Sequence, residues 1–315
     1  MRVCITGING HVGSWLAEFY LKKGYEVHGI VRPRSNLTFL QGLEGLKLHL
    51  CDIRDAHGVM EVLKNEFNII HHLAAITFVP YSWENPSDTI ETNVLGSVNV
   101  LEAVRRSFHS DDAILHVAGS SEEYGYVKPD EVPITENNPL RPHSPYGVSK
   151  VAEDMLAQQY YRSYGLKTVV TRAFNHTSIR RGDHFLTKQV VIQAARIKKG
   201  LQEHFILGNL EAVRDFLDVR DVLQAYFLAV EKCNYGEPYN VSSGIGLSAR
   251  EVVDIVAGIA KIPNKAVEDP SRVRPSEAPI LIGDSTKFRE KTGWRPTIPI
   301  EETLSQMYEY ELSKA

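Results

Sequence analysis

The most constraining feature of this chain is a glycine-rich turn between its first predicted strand and its first predicted helix. Gly7, Gly10 and Gly13 lie in T-G-I-N-G-H-V-G, directly after the β-branched run at residues 3–6. Such a turn needs a positive φ, close approach of a pyrophosphate and close packing of a helix, and glycine permits all three. The turn therefore predicts a dinucleotide site at the start of an α/β sheet. The alternative is a loop that only reverses the chain.

An alternation of strand and helix patterns extends this prediction over the first half of the chain. Short β-branched runs, separated by helical periodicity, predict strands at residues 3–6, 27–31, 46–50, 69–73, 114–118 and 168–172. Residues 239–241 could add a seventh strand. We therefore expect the α/β class, with a doubly wound parallel sheet of the Rossmann type. Ligands of such a sheet gather beyond the carboxyl ends of its strands, so the residues after each run are candidates for chemistry.

The second half of the chain loses this regular alternation after residue 174. A polar stretch is followed by helical patterns at residues 186–199, about 218–232 and 249–260, and by two more that begin near residues 285 and 300. We interpret this half as a smaller, discontinuous C-terminal substrate domain. The expected dinucleotide-binding domain is then residues 1–173 and about 218–244, and the substrate domain is residues 174–217 and about 245–315.

Composition and charge argue against several classes of function. The 315 residues include 35 Lys and Arg against 39 Asp and Glu, so the net charge of −4 provides no basic field for a nucleic acid. No apolar run approaches the ~20 residues of a membrane span. A strand pattern stands where a secretory leader would lie, so we expect a cytoplasmic protein without membrane or nucleic-acid partners. Cys4, Cys51 and Cys233 are widely spaced and are expected to be reduced packing residues.

The adjacent histidines His71 and His72 are candidate metal ligands. Neighbours in a strand face opposite sides of the sheet, and no third ligand is close in sequence. We therefore expect no bound metal.

The end of the second predicted strand indicates which dinucleotide binds. An NAD-selective site would place an acidic residue there against the ribose 2′-hydroxyl, whereas this chain has Arg32, Arg34 and Ser35. Guanidinium groups suit a 2′-phosphate because they stay charged and bind phosphate in bidentate fashion. We therefore expect NADP(H), with a solvated basic loop as the alternative.

Residues after the other strands complete the predicted cofactor site. Those after the third strand could flank the adenine, and those after the fourth would line the cofactor with small side chains. The full predicted set is Gly7, Asn9, Gly10, His11, Val12, Gly13, Arg32, Arg34, Ser35, Asp52, Ile53, Leu73, Ala74, Ala75, Asn93, Tyr146 and Lys150.

The pattern Y-x-x-x-K occurs three times, and one copy has the context of a catalytic pair. The copy at 124–128 runs into a proline and the copy at 310–314 lies at the C-terminus, so neither offers a rigid helix face. Tyr146 and Lys150 follow Pro145 at the start of a long helical pattern, which places them on one face. Because an ammonium favours the phenolate, we expect Tyr146 to act as a base near neutral pH. A plain surface pair is the alternative.

The fifth predicted strand runs into H-V-A-G-S-S-E-E-Y-G, which brings a serine and a carboxylate to the sheet edge. Ser120 can hydrogen-bond the reacting oxygen. Glu122 and Glu123 would point to opposite sides of an extended chain, so we expect Glu122 in the pocket and Glu123 as a solvated carboxylate. A pocket carboxylate suits β-elimination, which needs a base for a C–H and an acid for the departing hydroxyl. If Glu122 is only a loop acid, the reaction class changes.

These motifs together resemble the extended short-chain dehydrogenase/reductases of the nucleotide-sugar epimerase/dehydratase group. The resemblance covers essentially the whole chain and is strongest to GDP-mannose 4,6-dehydratases and GDP-4-keto-6-deoxymannose reductases. F-N-H-x-S-x-R-R-G-x-x-F-x-T-K at residues 174–188 is similar to the dehydratases, and Ser120-Ser121-Glu122 matches their catalytic Thr-Ser-Glu. R-D-F-L-D-V-R-D-V and T-G-W-R-P-T-I-P-I-E are closer to the reductases, which typically carry a small residue at the position of Glu122.

The resemblance implies an enzyme that acts on a GDP-sugar. It assigns catalysis to Ser120, Glu122, Tyr146 and Lys150. The substrate ligands that it implies are Asn175, Lys188, Arg214, Arg274 and Glu277. Surface ion pairing is the alternative for Arg214 and for Arg274 with Glu277. The presence of Glu122 favours a GDP-mannose 4,6-dehydratase, with the reductase or another nucleotide-sugar epimerase/dehydratase as the alternative.

The resemblance also implies a homo-oligomer, either a dimer or a tetramer. The segment after Arg32 is shorter than the loop with which typical dehydratases build a tetramer, and Pro33 replaces the second arginine of that loop. The oligomeric state therefore stays open, with a dimer through the helices before and after Tyr146 as the expectation. A non-catalytic NADPH-sensing regulator is an alternative of another class, but it would not need Ser120, Tyr146 and Lys150 together.

Overall fold

The computed structural model describes residues 1–107, 112–273 and 278–314. Its strands are β1 (Arg2–Thr6), β2 (Glu26–Val31), β3 (Lys47–Leu50), β4 (Ile69–His72), β5 (Ile114–Ser120), β6 (Thr168–Ala173), β7 (Asn175–Thr177), β8 (Phe205–Leu207), β9 (Val213–Asp218), β10 (Pro238–Val241), β11 (Gly246–Ser248), β12 (Ala266–Glu268) and β13 (Ile280–Leu281). Its α-helices are α1 (His11–Lys22), α2 (Ala56–Leu63), α3 (Val79–Glu84), α4 (Pro86–Ile90), α5 (Gly96–Arg106), α6 (Pro145–Tyr164), α7 (Leu186–Lys198), α8 (Val219–Lys232), α9 (Ala249–Ala260), α10 (Thr286–Thr292) and α11 (Ile300–Lys314).

The main sheet has seven strands in the order β10-β6-β5-β4-β1-β2-β3. Every neighbouring pair in this sheet is parallel. The chain works outward from β1 in one direction through β2 and β3, and then returns to β4 on the other side of β1. This reversal opens a crevice above β1 and β4 at the carboxyl edge, which is where doubly wound sheets bind ligands. The predicted fold class is therefore confirmed.

Both faces of the main sheet are buried at its central strands, as is typical of parallel sheets, whereas the edge strand β3 is largely exposed. Along β1, Val3 and Ile5 join the apolar core on one face, where α1 packs against α8. Cys4 points the other way and joins the core beneath α2 and α5. This alternation follows from the two-residue period of a strand. Cys4, Cys51 and Cys233 are all free and buried, in agreement with their predicted packing role.

A second group of elements lies beyond the main sheet. Strands β7, β9, β11 and β13 form a small sheet, β8 pairs with β12, and helices α7, α9 and α11 pack around a separate apolar core. The helix predicted at residues 249–260 has these bounds in the structure, since the Ser248 side chain caps its first turn and Glu251 completes a capping box. The sequence did not predict β9, because its polar residues Arg214, Asp215 and Asp218 hide the strand pattern. No helix in the described part of the chain combines the length and apolarity that a membrane crossing needs.

The glycine turn owes its shape to two close approaches. Gly7 has φ +67°, and a side chain there would put Cβ 2.8 Å from Cα of Ala74, in the loop after β4. A Cβ on Gly13, inside α1, would lie 2.3 Å from the carbonyl oxygen of Gly7 and 2.7 Å from Cα of Ile8. Backbone atoms cannot yield as a flexible side chain can, so glycine at position 13 lets α1 seat on the turn.

Gly13→Ala is therefore expected to lower the free energy of unfolding by about 1–3 kcal/mol, because the new methyl group overpacks a rigid turn. Gly258→Ala is the matched control, since Gly258 lies in helix α9 with no atom within 4 Å of its Cβ position. That change is expected to stabilise the protein by about 0.5–1 kcal/mol. Denaturant unfolding measures both variants, and equal effects of the two substitutions would contradict the packing argument.

Candidate active site

A cavity of about 390 Å³ opens at the carboxyl edge of the main sheet, within the size range of small-molecule sites. It is formed by the glycine turn, the loops after β2, β3 and β4, the end of β5, the start of α6 and the segment after β6. The predicted site residues that line it are Gly7, Asn9, Gly10, His11, Val12, Gly13, Arg32, Ser35, Ile53, Leu73, Ala74, Ala75, Ser120, Glu122, Tyr146, Lys150 and Asn175. Residues more than a hundred positions apart in sequence therefore meet in one cavity.

The glycine turn presents a helix N-terminus to this cavity. Helix α1 begins at His11 with Gly10 as its N-cap, and no side chain caps its first turn. The first backbone N–H groups of a helix lack intrahelical partners and attract anions. The turn also leaves no room for a side chain at Gly7. This cradle fits a dinucleotide pyrophosphate.

The loop after β4 is held against the turn by buried polar side chains. The hydroxyl of Thr6 accepts hydrogen bonds from the backbone N–H groups of Leu73 (3.1 Å) and Ala74 (3.0 Å). The amide of Asn93 clamps the backbone of Ile76, because Oδ1 accepts from its N–H at 2.8 Å and Nδ2 donates to its carbonyl at 3.0 Å. Asn93, predicted as a cofactor ligand, is itself fully buried and lies behind the cavity lining.

The residues predicted after β2 and β3 separate into two groups. Arg32 and Ser35 line the cavity, whereas Arg34 has φ +66° and is exposed away from it. Ile53 lines the cavity, but both carboxylate oxygens of Asp52 accept from Arg54, at 3.1 and 2.8 Å. These hydrogen bonds lower the pKa of Asp52. The structure thus brings Arg32, Ser35 and Ile53 to the cavity and leaves Arg34 and Asp52 outside.

Tyr146 and Lys150 lie on the inner face of α6, as the i, i+4 spacing predicts. The Ser144 side chain caps this helix by accepting from N–H of Gly147 at 3.0 Å, and Pro145 is its first residue. Nζ of Lys150 lies 6.0 Å from the centre of the Tyr146 ring. Both residues are buried, and the Ser120 hydroxyl lies close enough to the Tyr146 phenol to lower its pKa. The three side chains form one contiguous polar group at the end of β5.

The electrostatics of Tyr146 differ from the prediction. We expected the ammonium of Lys150 to bring its pKa down towards neutrality. Burial instead raises the pKa of Tyr146 above its ordinary value, while Lys150 and the Ser120 hydroxyl act in the opposite direction. Desolvation of the phenolate is the larger effect, and a sequence cannot reveal it because it depends on how deeply the ring is packed.

Glu122 and Glu123 occupy one turn of 3₁₀ helix (Ser121–Glu123) and not an extended chain. Glu122 is half-buried and lines the cavity, as expected. The expectation for Glu123 was wrong, because it is fully buried and not solvated. Its Oε1 accepts from N–H of Ser120 at 2.7 Å, and its Oε2 lies 3.2 Å from Nε of Arg172. Burial and the nearby Asp154 raise the pKa of Glu123 well above its usual range.

Arg172 ties this loop to helix α6. Its Nε donates to Oδ2 of Asp154 at 2.7 Å, and its Nη1 donates to the hydroxyl of Tyr124 at 3.1 Å. In the sheet, Arg172 pairs with Gly119, and a Cβ at Gly119 would lie 2.7 Å from Oε1 of Glu123. The glycine therefore makes room for a buried ion cluster directly beneath the Ser120–Glu122 turn.

The residues predicted to hold the substrate are only partly brought together. Asn175 lines the cavity. Lys188 is buried elsewhere, where its Nζ donates to Glu311 at 2.5 Å and to the carbonyl of Ile179 at 3.0 Å. Arg214 lies on β9 and is not part of the cavity lining. Its guanidinium donates to the carbonyl of the preceding residue, Val213. Arg274 and Glu277 lie outside the described residues.

Sequence reasoning missed a cationic residue at the cavity. Arg181 lines it, lies over the ring of Phe185 at 3.4 Å and donates to Nδ1 of His11 at 3.2 Å. His176, stacked on His11 with ring centres 5.7 Å apart, lines the same wall. Burial lowers the pKa of Arg181 to about 10, so the guanidinium stays charged at neutral pH. The sequence contained a clue to both residues. Arg181 and His176 follow the predicted sixth strand, and residues after such strands are the ones that contact ligands.

His71 and His72 have partners of their own within the sheet. The rings of His71 and His116 share a hydrogen bond of 3.0 Å between Nδ1 atoms, and Nε2 of His71 and the hydroxyl of Tyr20 share another of 2.7 Å. His72 bridges Thr6 and Ser97, at 2.8 Å to each. Burial lowers the pKa of both histidines to about 3. They are neutral hydrogen-bonding groups of the core.

Comparisons with known proteins agree with this geometry. A family model described as GDP-mannose 4,6 dehydratase matches residues 4–307. GDP-mannose 4,6 dehydratase 2 of Arabidopsis thaliana is 35% identical over 99% of this chain and 87% of that protein. GDP-6-deoxy-D-mannose reductase of Pseudomonas aeruginosa is 31% identical over 96% of this chain and 94% of that protein. The solved structure of RMD from Pseudomonas aeruginosa complexed with NADPH has a TM-score of 0.85 and 29% identity, and covers 100% of this chain and 99% of that one.

Proposed function

This chain belongs to the GDP-mannose 4,6-dehydratase family, and we propose that it converts GDP-mannose to GDP-4-keto-6-deoxymannose with loss of one water. The observation that carries the proposal is the place of Glu122, which lines the same cavity as Ser120, Tyr146 and Lys150. A tyrosine, a lysine and a serine suffice for hydride transfer at a sugar carbon. Elimination needs a further acid/base, and Glu122 is suited to supply it.

Several features of the cavity fit a nicotinamide dinucleotide. Gly7 leaves the backbone open to close approach, the N-terminus of α1 faces the cavity, and Arg32 lies where the second strand ends. A neighbour of this fold is complexed with NADPH. We propose that Gly7, Gly10 and Gly13 cradle the pyrophosphate and that Arg32 and Ser35 contact a 2′-phosphate. NADP+ bound there would accept a hydride from the sugar and later return it.

The residues of the chain then have separate roles in the reaction. Tyr146, with Ser120 on its phenol oxygen and the Lys150 ammonium nearby, takes the proton of the C4 hydroxyl. The resulting 4-keto group acidifies C5–H, which Glu122 removes as a base. Glu122 then gives this proton to the hydroxyl on C6, which leaves as water. The hydride taken from C4 returns to C6, and the proton held by Tyr146 goes to C5, which completes the 4-keto-6-deoxy sugar. Asn175 and Arg181 line the same cavity, where they can orient the sugar and meet the charge of a pyrophosphate.

The rival function on the same scaffold is the reductase, which a relative 31% identical represents. A reductase consumes NADPH and does not eliminate water. It has no use for a carboxylate beside the phenol of Tyr146, so Glu122 favours the dehydratase.

Glu122→Gln is expected to reduce water loss from GDP-mannose at least about 100-fold, because an amide cannot accept the C5 proton. The C4 oxidation that depends on Tyr146 should survive, so NADPH absorbance should rise once and stop. Product mass and NADPH absorbance are followed together, with the exposed Glu301→Gln as the matched control. If the wild type instead leaves GDP-mannose unchanged and oxidises NADPH with the 4-keto-6-deoxy sugar, the protein is the reductase.

Arg32→Ala is expected to weaken NADP+ binding about 10- to 100-fold, the value of one charge-assisted hydrogen bond to a phosphate, and to leave NAD+ binding nearly unchanged. Arg34→Ala is the matched control, because Arg34 lies outside the cavity lining. Calorimetric titration of both cofactors measures the effect. An equal loss for NADP+ and NAD+ would show that Arg32 does not contact the 2′-phosphate.

We also propose that two copies associate through α5 and α6, and not as a larger assembly through the short segment after β2. Val148 and Met155 lie seven residues apart on α6 and are 47% and 45% exposed, and Leu95, just before α5, is 54% exposed. An apolar stripe of this kind on neighbouring helices is suited to a partner subunit. The cytoplasmic location expected from the sequence stays a prediction, which cell fractionation would test.

Met155→Glu is expected to convert the proposed dimer to a monomer in sedimentation at micromolar concentration, because two buried charges would face each other across the symmetry axis. Leu201→Glu is the matched control, since Leu201 is 64% exposed and lies after α7, away from this stripe. A dimer that persists in Met155→Glu, or that is lost only in Leu201→Glu, would place the contact elsewhere.

A further inference from the structure

A buried carboxylate lies against Lys150, the proposed partner of the base Tyr146. Glu153 follows Lys150 by three residues on α6, and its Oε2 lies 3.0 Å from Nζ. The same Nζ donates to the carbonyl of Ala118 on β5, also at 3.0 Å. Glu153 is 1% exposed and Lys150 is 4% exposed. The ammonium is therefore fixed between one charged and one neutral oxygen.

Packing alone does not account for a glutamate at this place. Taking a carboxylate out of water costs several kcal/mol, and an apolar side chain of similar size would often serve a core equally well. Oε1 of Glu153 has no hydrogen-bond partner within the described ranges. The ammonium of Lys150 is the charged group in contact with this carboxylate, and the Ser97 hydroxyl also lies close enough to lower the pKa of Glu153.

We propose that Glu153 is a positioning residue of the Tyr146–Lys150 pair, which holds Nζ in place and keeps the ammonium charged, and so sets the pH range in which Tyr146 acts. Glu153 touches neither the cavity nor the phenol and acts through Lys150. The proposal rests on the proposed role of Tyr146 as the base.

The charged groups around Lys150 come from three elements. Helix α6 contributes Glu153, Asp154 and Tyr146, β4 contributes His72, and the turn after β5 contributes Glu123. His72 is neutral because burial lowers its pKa to about 3. Asp154 and Glu123 share Arg172 as their cationic partner. Glu153 is therefore the carboxylate in direct contact with the ammonium.

The negative charge of Glu153 raises the pKa of Lys150 and the pKa of Tyr146. Burial alone would lower the pKa of Lys150, but Glu153 and, more weakly, Tyr146 and Glu123 raise it above its ordinary value. Burial raises the pKa of Tyr146, the charges of Glu153 and Glu122 add to that rise, and Lys150 opposes it. The Arg181 guanidinium also faces the phenol, from the segment after β7. Burial also raises the pKa of Glu153 itself to about 7, although the ammonium opposes this. Removing the carboxylate should thus lower the pKa of Tyr146 and of Lys150 together.

The first test is the pH profile of kcat/KM for Glu153→Gln. Both the acidic and the alkaline limb are expected to move to lower pH, by about one unit, the size of shift that a neighbouring charge produces. Glu91→Gln, which removes an exposed carboxylate on the neighbouring segment, should leave both limbs in place. A uniform loss of rate with unmoved limbs would overturn the proposal and assign Glu153 to packing.

A second variant covers the case in which Glu153→Gln does not fold. Glu153→Asp keeps the charge but draws the carboxylate back by one methylene, so both limbs should move in the same direction by a smaller amount. Unmoved limbs in this variant would equally overturn the proposal.

A measurement without substrate separates this inference from the proposed function. The alkaline titration of Tyr146 is followed by the ultraviolet absorbance of its phenolate, as the difference between each protein and the same protein with Tyr146→Phe. In Glu153→Gln this titration is expected at lower pH than in the wild type, whether or not GDP-mannose is the substrate. An unshifted titration rejects the role of Glu153, whereas a shifted titration without dehydratase activity rejects only the proposed reaction.

Discussion

The buried guanidinium of Arg172 joins the segments that carry the proposed catalytic residues. Arg172 bonds Glu123 from the turn after β5 and Asp154 from α6, and the hydroxyl of Tyr124 links it onward to Asn240 on β10. The turn after β5, helix α6 and strand β6, which all reach the cavity, are thereby joined by buried charges. Since the turn presents Ser120 and Glu122 and the helix presents Tyr146 and Lys150, their mutual geometry depends on this cluster.

The pyrophosphate part of the proposed cofactor site depends on close backbone contact. Gly7 lets the turn approach the loop after β4, while Thr6 and Asn93 hold that loop by its own N–H and carbonyl groups. The cofactor part and the proposed catalytic part of the site meet at the gap between β1 and β4, the reversal point of the sheet. Backbone groups of the glycine turn and of the loop after β4 thus lie on one side of the cavity, and the polar side chains of Ser120, Tyr146 and Lys150 lie at the end of β5. We propose that the first group holds the cofactor in place while the second acts on the sugar.

The sequence was informative where structure follows from local pattern. Strand periodicity placed the main sheet, and helix spacing placed Tyr146 and Lys150 on one face. The sequence-based predictions failed where a residue's role depends on how deeply its side chain is buried and on which distant residue it contacts. The solvated Glu123 of the prediction is fully buried because Arg172, a distant residue, provides its partner. Lys188, predicted to bind substrate, donates to the carboxylate of Glu311. Asn93, predicted to bind the cofactor, accepts from the backbone of Ile76 behind the cavity lining. Such pairings join residues whose separation in sequence carries no periodic signal.

Helix α6 contributes both to the proposed active site and to the proposed subunit contact. Tyr146, Lys150, Glu153 and Asp154 point inward from it, while Val148 and Met155 face outward. Each residue of an α-helix turns the chain by about 100°. Inserting or deleting one residue after Lys150 would therefore rotate Glu153 and Asp154 away from their partners and bring apolar side chains inward. The length of the helix between Lys150 and Asp154 is therefore fixed by the contacts at both ends of this stretch.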